Sequence, residues 1–415
     1  MTTIAPTTGQ IAAIQRRTVG VLALGQVLGG IAFGATVSLG ALLAADISGN
    51  DALSGLATAS VTLGAALCAI PLARAAARFG RRLALTAGNV LALAGVAIVI
   101  TAASARSFPL LLAGIILIGM GNAGNLQSRF AATDLATPEH RGRDLSVVVW
   151  STTIGGVAGP FLLSPGEQLG QLLGMPPLTG SYVFSLIGQS LALILYLVAL
   201  RPDPLLTAQR AAQGAASAAA IGAEKDRPVA ARYAIFAVAG SHAVMASVMA
   251  MTPVHLAHMA HGEHGTSTAD VTLLVGMTIG LHVAGMYGLS PVFGILADRW
   301  GRVRVILLGQ GMLVASLVTA IVAGENPIGV MVALILLGLG WSAATVAGAA
   351  LLTEASVVAR RPRRQGVSDS LMSLTAAAGA SGAGVVLTNF GYGGLGAAAL
   401  VIVVAIVALS PLARR

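Results

Sequence analysis

Charge is scarce in this chain. Only 9% of its 415 residues are Asp, Glu, Lys or Arg, whereas a water-soluble domain needs about 25% to cover its surface. Cysteine is scarcer still: Cys68 stands alone, so no internal disulfide can form and no thiolate metal site can be assembled. Aromatic residues make up 4%. What remains is apolar, with 56% hydrophobic residues and a mean hydropathy of +0.86. That composition belongs in a bilayer.

A membrane-crossing helix takes about 20 apolar residues. Runs of that length, separated by short charged patches, predict twelve spans at 18–40, 52–73, 83–104, 109–132, 145–165, 180–200, 231–252, 269–292, 304–323, 328–352, 367–388 and 394–411. The 52 glycines suit close helix packing, because lipid gives helices no hydrophobic reason to associate. The net charge of +9 is an orientation signal and not a nucleic-acid footprint. Arg16 and Arg17, Arg78 to Arg82, Arg141 and Arg143, Arg201 to Arg227, Arg299 to Arg304, Arg360 to Arg364, and Arg414 with Arg415 all fall in loops on one side, while Arg106 is alone on the other. The positive-inside rule then places both termini in the cytoplasm of a cell whose inner membrane holds the protein. No cleavable signal pattern precedes the first span.

The chain is duplicated. Arg78-Phe79-Gly80-Arg81 recurs as Arg299-Trp300-Gly301-Arg302, Ile118-Gly119-Met120-Gly121 as Leu337-Gly338-Leu339-Gly340, and Pro71 as Pro291, at an offset of 219 to 221 residues. This predicts an N-terminal six-helix half over 1–200, a cytoplasmic linker over 201–230 that is rich in Ala, Gly, Gln and Ser, and a C-terminal six-helix half over 231–415. Gly294-Ile295-Leu296-Ala297-Asp298-Arg299-Trp300-Gly301-Arg302 resembles the G-x-L-x-D-R-x-G-R signature of the major facilitator superfamily, and Gly155, Gly159 and Pro160 resemble its glycine-proline motif in span five. The first-half copy of the signature is degraded, with Ala73 and Ala77 in place of Gly and Asp. The resemblance implies an all-α transporter of two parallel six-helix repeats, not an enzyme, with Asp298, Arg299 and Arg302 latching helix ends during gating.

One segment departs from bland apolar composition. Six of the seven histidines lie between His242 and His282, and six of the twelve methionines between Met245 and Met286. Span seven carries His242, Met245 and Met249 on one helix face, and span eight carries His282 and Met286 one turn apart. The connection between them holds His255, His258, Met259, His261 and His264. Paired methionines alone could be gap-filling core, and the connection could be a solvated, pH-sensitive loop. An ionisable group inside the membrane is costly, however, and is a functional hypothesis by default. Thioethers favour Cu(I) and imidazole suits copper, whereas hard cations want oxygen ligands, and neither span has a mid-membrane carboxylate. Copper(I) is the best single fit as cargo, with the connection's side chains as additional ligands.

Met-x-x-x-Met followed by His-x-x-x-Met resembles the CcoA-type copper importers of the same superfamily. The resemblance implies Met245, Met249, His282 and Met286 as ligands, copper import for assembly of a cbb-type cytochrome oxidase, a cytoplasmic copper acceptor as partner and no permanent cofactor. Members of that family can carry cysteines near these helices; here Ala237 and Met259 stand there. At 1.5 Å per residue the four ligands order from outside to inside as Met249, Met245, His282, Met286, each helical pair about 6 Å apart in depth. That order permits a relay as well as one shared site. Two other readings remain open from the residues: a proton-coupled carrier of small organic molecules, and a copper sensor that binds metal without moving it.

Overall fold

The computed structural model describes residues 8–49, 53–218, 226–262, 268–323 and 325–414, which are helical almost throughout. They form two compact units, one of Met1–Asp226 with Ser356–Ser373 and one of Arg227–Ala355 with Leu374–Arg415.

The first unit contains α1 (Thr8–Ser48), α2 (Ser54–Phe79), α3 (Arg81–Ser104), α4 (Phe108–Ala131), α5 (Arg141–Phe161), α6 (Leu163–Leu172), α7 (Tyr182–Ala199) and α8 (Pro204–Ala218). Within it α4 packs on α2 and α3, and α1 on α5 and α7. The second contains α9 (Pro228–Gly262), α10 (Thr268–Tyr287), α11 (Ser290–Trp300), α12 (Arg302–Val322) and α13 (Pro327–Glu354). Here α13 is the hub, touching α9, α10, α11 and α12, with nearly all of its second half buried. It starts cleanly: Pro327 occupies the first turn and the Asn326 side chain accepts the Ile328 N–H at 2.9 Å. The last long helix, α14 (Arg361–Ala408), starts in the first unit, breaks at Gly391 and finishes in the second, before a 3₁₀ turn over Ser410–Arg414.

The duplication read in the sequence reappears as internal architecture. Gly80 (φ 89°) ends α2 and Gly301 (φ 96°) ends α11, and in both places a left-handed residue turns the chain straight into the next helix. In the first unit α2 crosses α4 where Gly119 lies against the Val61 backbone and Gly64 against that of Ile116. In the second, α10 crosses α13 where Gly338 lies against the His282 and Met286 backbones and Gly285 against that of Ile335. These two crossings are related by the same offset of 219 to 221 residues. His282 therefore stands where the first unit has Val61.

Nine stretches among the described residues are long and apolar enough to cross a membrane. One of them, Arg361–Arg414, holds expected spans eleven and twelve, because helix continues on both sides of the Gly391 break. Expected spans one and five fall on α1 and α5, outside the nine. Two connections contain helix, and for the second this corrects an expected loop. The linker is helical over α8, whose start is capped by Asp203: its Oδ1 accepts the N–H groups of Leu205 and Leu206, both at 3.1 Å. The connection after span seven is likewise helical as far as Gly262, so the backbone of His255, His258, Met259 and His261 continues α9. His264 and the side chains of His258 and His261 lie outside the described residues.

Candidate transport site

The α10–α13 crossing positions the most informative side chain. Because Gly285 and Gly338 let the two backbones meet, His282 is pressed onto α13 with no exposed surface. Its Nδ1 lies 2.8 Å from the carbonyl oxygen of Leu334, one turn before Gly338. A carbonyl can only accept, so Nδ1 carries a proton, and in the neutral form of the ring the lone pair is then on Nε2. That Nε2 is buried and has no protein hydrogen-bond partner. A ring anchored at one nitrogen and bare at the other is the usual state of a histidine held ready for a metal.

Met286, one turn further on, is 7% exposed and belongs to the same buried cluster as Met245 (3%) and Trp341 (4%), with Met249, Met259 and Tyr287 packed against it. The structure thus brings Met245, Met249, Met259 and Met286 around one core. The two ladders do not rely mainly on each other: α9 and α10 each pack chiefly on α13.

The other two histidines of this segment whose side chains are described, His242 and His255, are engaged. Trp341 donates its indole N–H to His242 Nδ1 at 2.7 Å, and Tyr287 meets the Trp341 ring edge-on with centroids 5.8 Å apart. That bond occupies the His242 lone pair. His255 stacks flat on Tyr392 at 4.2 Å, and the Tyr392 hydroxyl is 2.9 Å from that of Thr252. Among the described residues no three His, Cys, Asp or Glu side chains converge on one point. Any metal held here would rest on thioethers and one imidazole, a soft and neutral set.

Away from this core the signature residues form ion pairs. In the second unit Arg302 pairs with Asp298 at 2.6 Å and Glu354 at 3.3 Å, and Arg227 reaches Glu354 at 2.8 Å, while Arg299 is exposed. In the first, Arg81 grips Asp134 with two bonds of 2.8 and 3.1 Å and donates to Gln365 at 2.6 Å. Asp134 and Glu354 are a further repeated pair at the offset of 220 residues, and the degraded first copy (Ala77 for Asp298) keeps its arginine by this means. The structure also pairs Arg129 of α4 with Asp369 of α14, both buried. Reading the sequence missed Asp369, because 240 residues separate the partners and no local pattern joins them.

The profile of the Major Facilitator Superfamily matches residues 22–286 and 263–415. The chain belongs to this superfamily. As a superfamily member it is a secondary transporter, and relatives agree. It is 36% identical over 386 residues to the MFS-type transporter YddS of Bacillus subtilis, covering 91% of this chain and 86% of that one. It is 30% identical over 382 residues to the riboflavin transporter RfnT of Brucella anthropi, covering 91% and 90%. Among solved structures, the human organic anion transporter MFSD10 superposes with a TM-score of 0.73 at 19% identity, over 95% of this chain and 99% of that one. A bacterial homologue of the iron transporter ferroportin superposes with a TM-score of 0.72 at 15% identity, over 96% and 100%. Both show the superfamily fold.

One stability prediction arises from the signature region. Arg81→Ala should lower stability by about 3–5 kcal/mol, because it strands Asp134 in a buried site without its cation. The combined Arg81→Leu, Asp134→Leu protein should recover much of that loss. Thermal unfolding in detergent measures both; an unchanged Arg81→Ala midpoint would mean that Asp134 is neutral in the folded protein.

Proposed function

We propose that this superfamily member carries copper as Cu(I), through Met245, Met249, His282 and Met286, into the cytoplasm of a bacterial cell. The observation that carries this reading is His282: fully buried, anchored through Nδ1 to Leu334, and bare at Nε2 one turn from Met286. Fold alone does not account for it, since the matching crossing in the first unit uses Val61. Thioethers bind Cu(I) without the strength of thiolates, which lets a carrier release its ion. His255, His258, Met259, His261 and His264 would gather metal at the outer mouth. Asp298, Arg299 and Arg302 would gate, the chain on either side of 201–230 would act as two halves, and a cytoplasmic acceptor would take the ion.

A second reading has its own support. A relative 30% identical over 91% of this chain is named a riboflavin transporter, and Trp341, Tyr287 and His242 form an aromatic group on which a flat ring could stack. Uptake of radioactive copper and of riboflavin, in cells with and without the protein, separates the two. Copper transport predicts copper accumulation that Met245→Ala reduces at unchanged protein level. Riboflavin accumulation with no copper accumulation would reverse the assignment.

A further inference from the structure

We propose that Asp369 is a proton-binding site, and that its occupancy controls how firmly the first turns of α14 are held in the first unit. This inference rests on the family and not on the copper reading.

The two buried ion pairs of the first unit differ in construction. Arg81 and Asp134 form a fork with both carboxylate oxygens engaged, the geometry of a fixed bridge. Arg129 and Asp369 share a single prong, Nη2 to Oδ1. Asp369 Oδ2 is buried with no protein donor, and Arg129 Nε is buried with no acceptor. The carboxyl has no exposed surface and the guanidinium side chain only 5%. A proton arriving on Oδ2 displaces no existing hydrogen bond. It also removes one of the two buried charges, and a buried ionic pair is held against a large desolvation cost.

The surroundings favour one proton acceptor. On α14 the Ser370 hydroxyl donates to the Ala66 carbonyl of α2 at 3.0 Å, and Gly366 lies against Ala69, Ile70 and Ala73. That α2 surface carries no titratable group. Arg129 comes from α4, with Met372 beside it at 3.8 Å from its Nη2. Arg81 of α3, already committed to Asp134, acts on Asp369 over a longer distance. Asp369 is thus a carboxylate bonded through one oxygen, to Arg129, with its second oxygen open to a proton. Counted from Arg361, it sits about 12 Å along α14.

The consequence is mechanical. With Asp369 ionised, Arg129 ties α14 to α4 by charge. With Asp369 protonated, the charge attraction is lost and Arg129 keeps its charge without a counterion. The segment 361–373 then relies on its remaining contacts, among them those with α2, Gln365 on Arg81, and Arg364 on Asp226 at 2.7 Å. A proton at Asp369 therefore loosens this segment, and a carrier that must move α14 in each cycle becomes linked to protons.

The test uses the full chain in lipid and no cargo. Infrared difference spectra across a pH titration should show a protonated-carboxyl band that is lost in Asp369→Asn and shifted in Asp369→Glu. Deuterium exchange of residues 361–373, corrected for intrinsic rates, should rise on acidification in the wild type. It should be insensitive to pH in Asp369→Asn and sensitive again in Asp369→Glu. Asp369→Asn leaves Arg129 buried without a partner, so the double Arg129→Gln, Asp369→Asn protein serves as the well-folded comparison and should lack both the band and the pH response. If no carboxyl band depends on Asp369, the residue takes no proton. If the band is present but exchange of 361–373 is unaltered by pH, the link to α14 is wrong.

Discussion

His282→Val should abolish high-affinity Cu(I) binding while leaving the protein folded. Binding of Cu(I) to purified protein, in competition with a chromophoric chelator, is expected to weaken on the order of 100-fold or more, since a ligand and not merely its support is removed. Cellular copper uptake should fall to the level of cells lacking the carrier. Valine is the chosen substitute because the first unit places Val61 at the matching crossing, so this packing geometry accepts it. The change removes the unpartnered Nε2 and releases the Leu334 carbonyl to its own helix bond, leaving no buried polar atom stranded. Met245→Ala and Met286→Ala remove one soft donor each and should weaken binding less. A His282→Val protein that binds Cu(I) as tightly as wild type would take the residue out of the site and shift weight to the organic-solute reading.

Much of the fold was legible because membrane helices advertise themselves by length and hydropathy, and because a duplicated chain repeats its turns. Gly80 and Gly301 were visible as a repeat before their positive φ values gave it a reason. The end of α9 was not legible. His, Glu and Gly at 255–264 looked like a solvated connection, yet Leu256, Ala257, Met259 and Ala260 are good helix formers, and the helix runs on to Gly262. The ligand candidates were legible by spacing, but spacing could not show that Trp341 occupies His242 or that α13 mediates between α9 and α10. Aligning the two halves residue by residue would have exposed His282 against Val61. Asp369 needed the structure, since its partner comes from a distant helix.

The α10–α13 crossing should prove as sensitive as the ligand itself. In Gly338→Val the new Cβ would lie 2.5 Å from the carbonyl oxygen of His282 and 3.0 Å from the Met286 nitrogen. Both are backbone atoms, which cannot swing aside, so the helices must part. Overpacking of this kind costs about 1–3 kcal/mol, and rigid neighbours favour the upper end. Separation also carries the His282 Nδ1 away from Leu334, which frees the ring to rotate. Copper binding should therefore fall along with the unfolding temperature. Gly119→Val is the matching control, because its Cβ meets the Val61 backbone at the equivalent crossing of the first unit, where no ligand stands. It should lower stability similarly and leave copper binding by the folded protein near normal. Gly311→Ala, with no atom within 4 Å of its Cβ on α12, should be neutral or stabilising by about 0.5–1 kcal/mol. Thermal unfolding and chelator competition on the three proteins decide the matter. If Gly338→Val and Gly119→Val impair copper binding equally, the crossing is ordinary packing and does not orient His282.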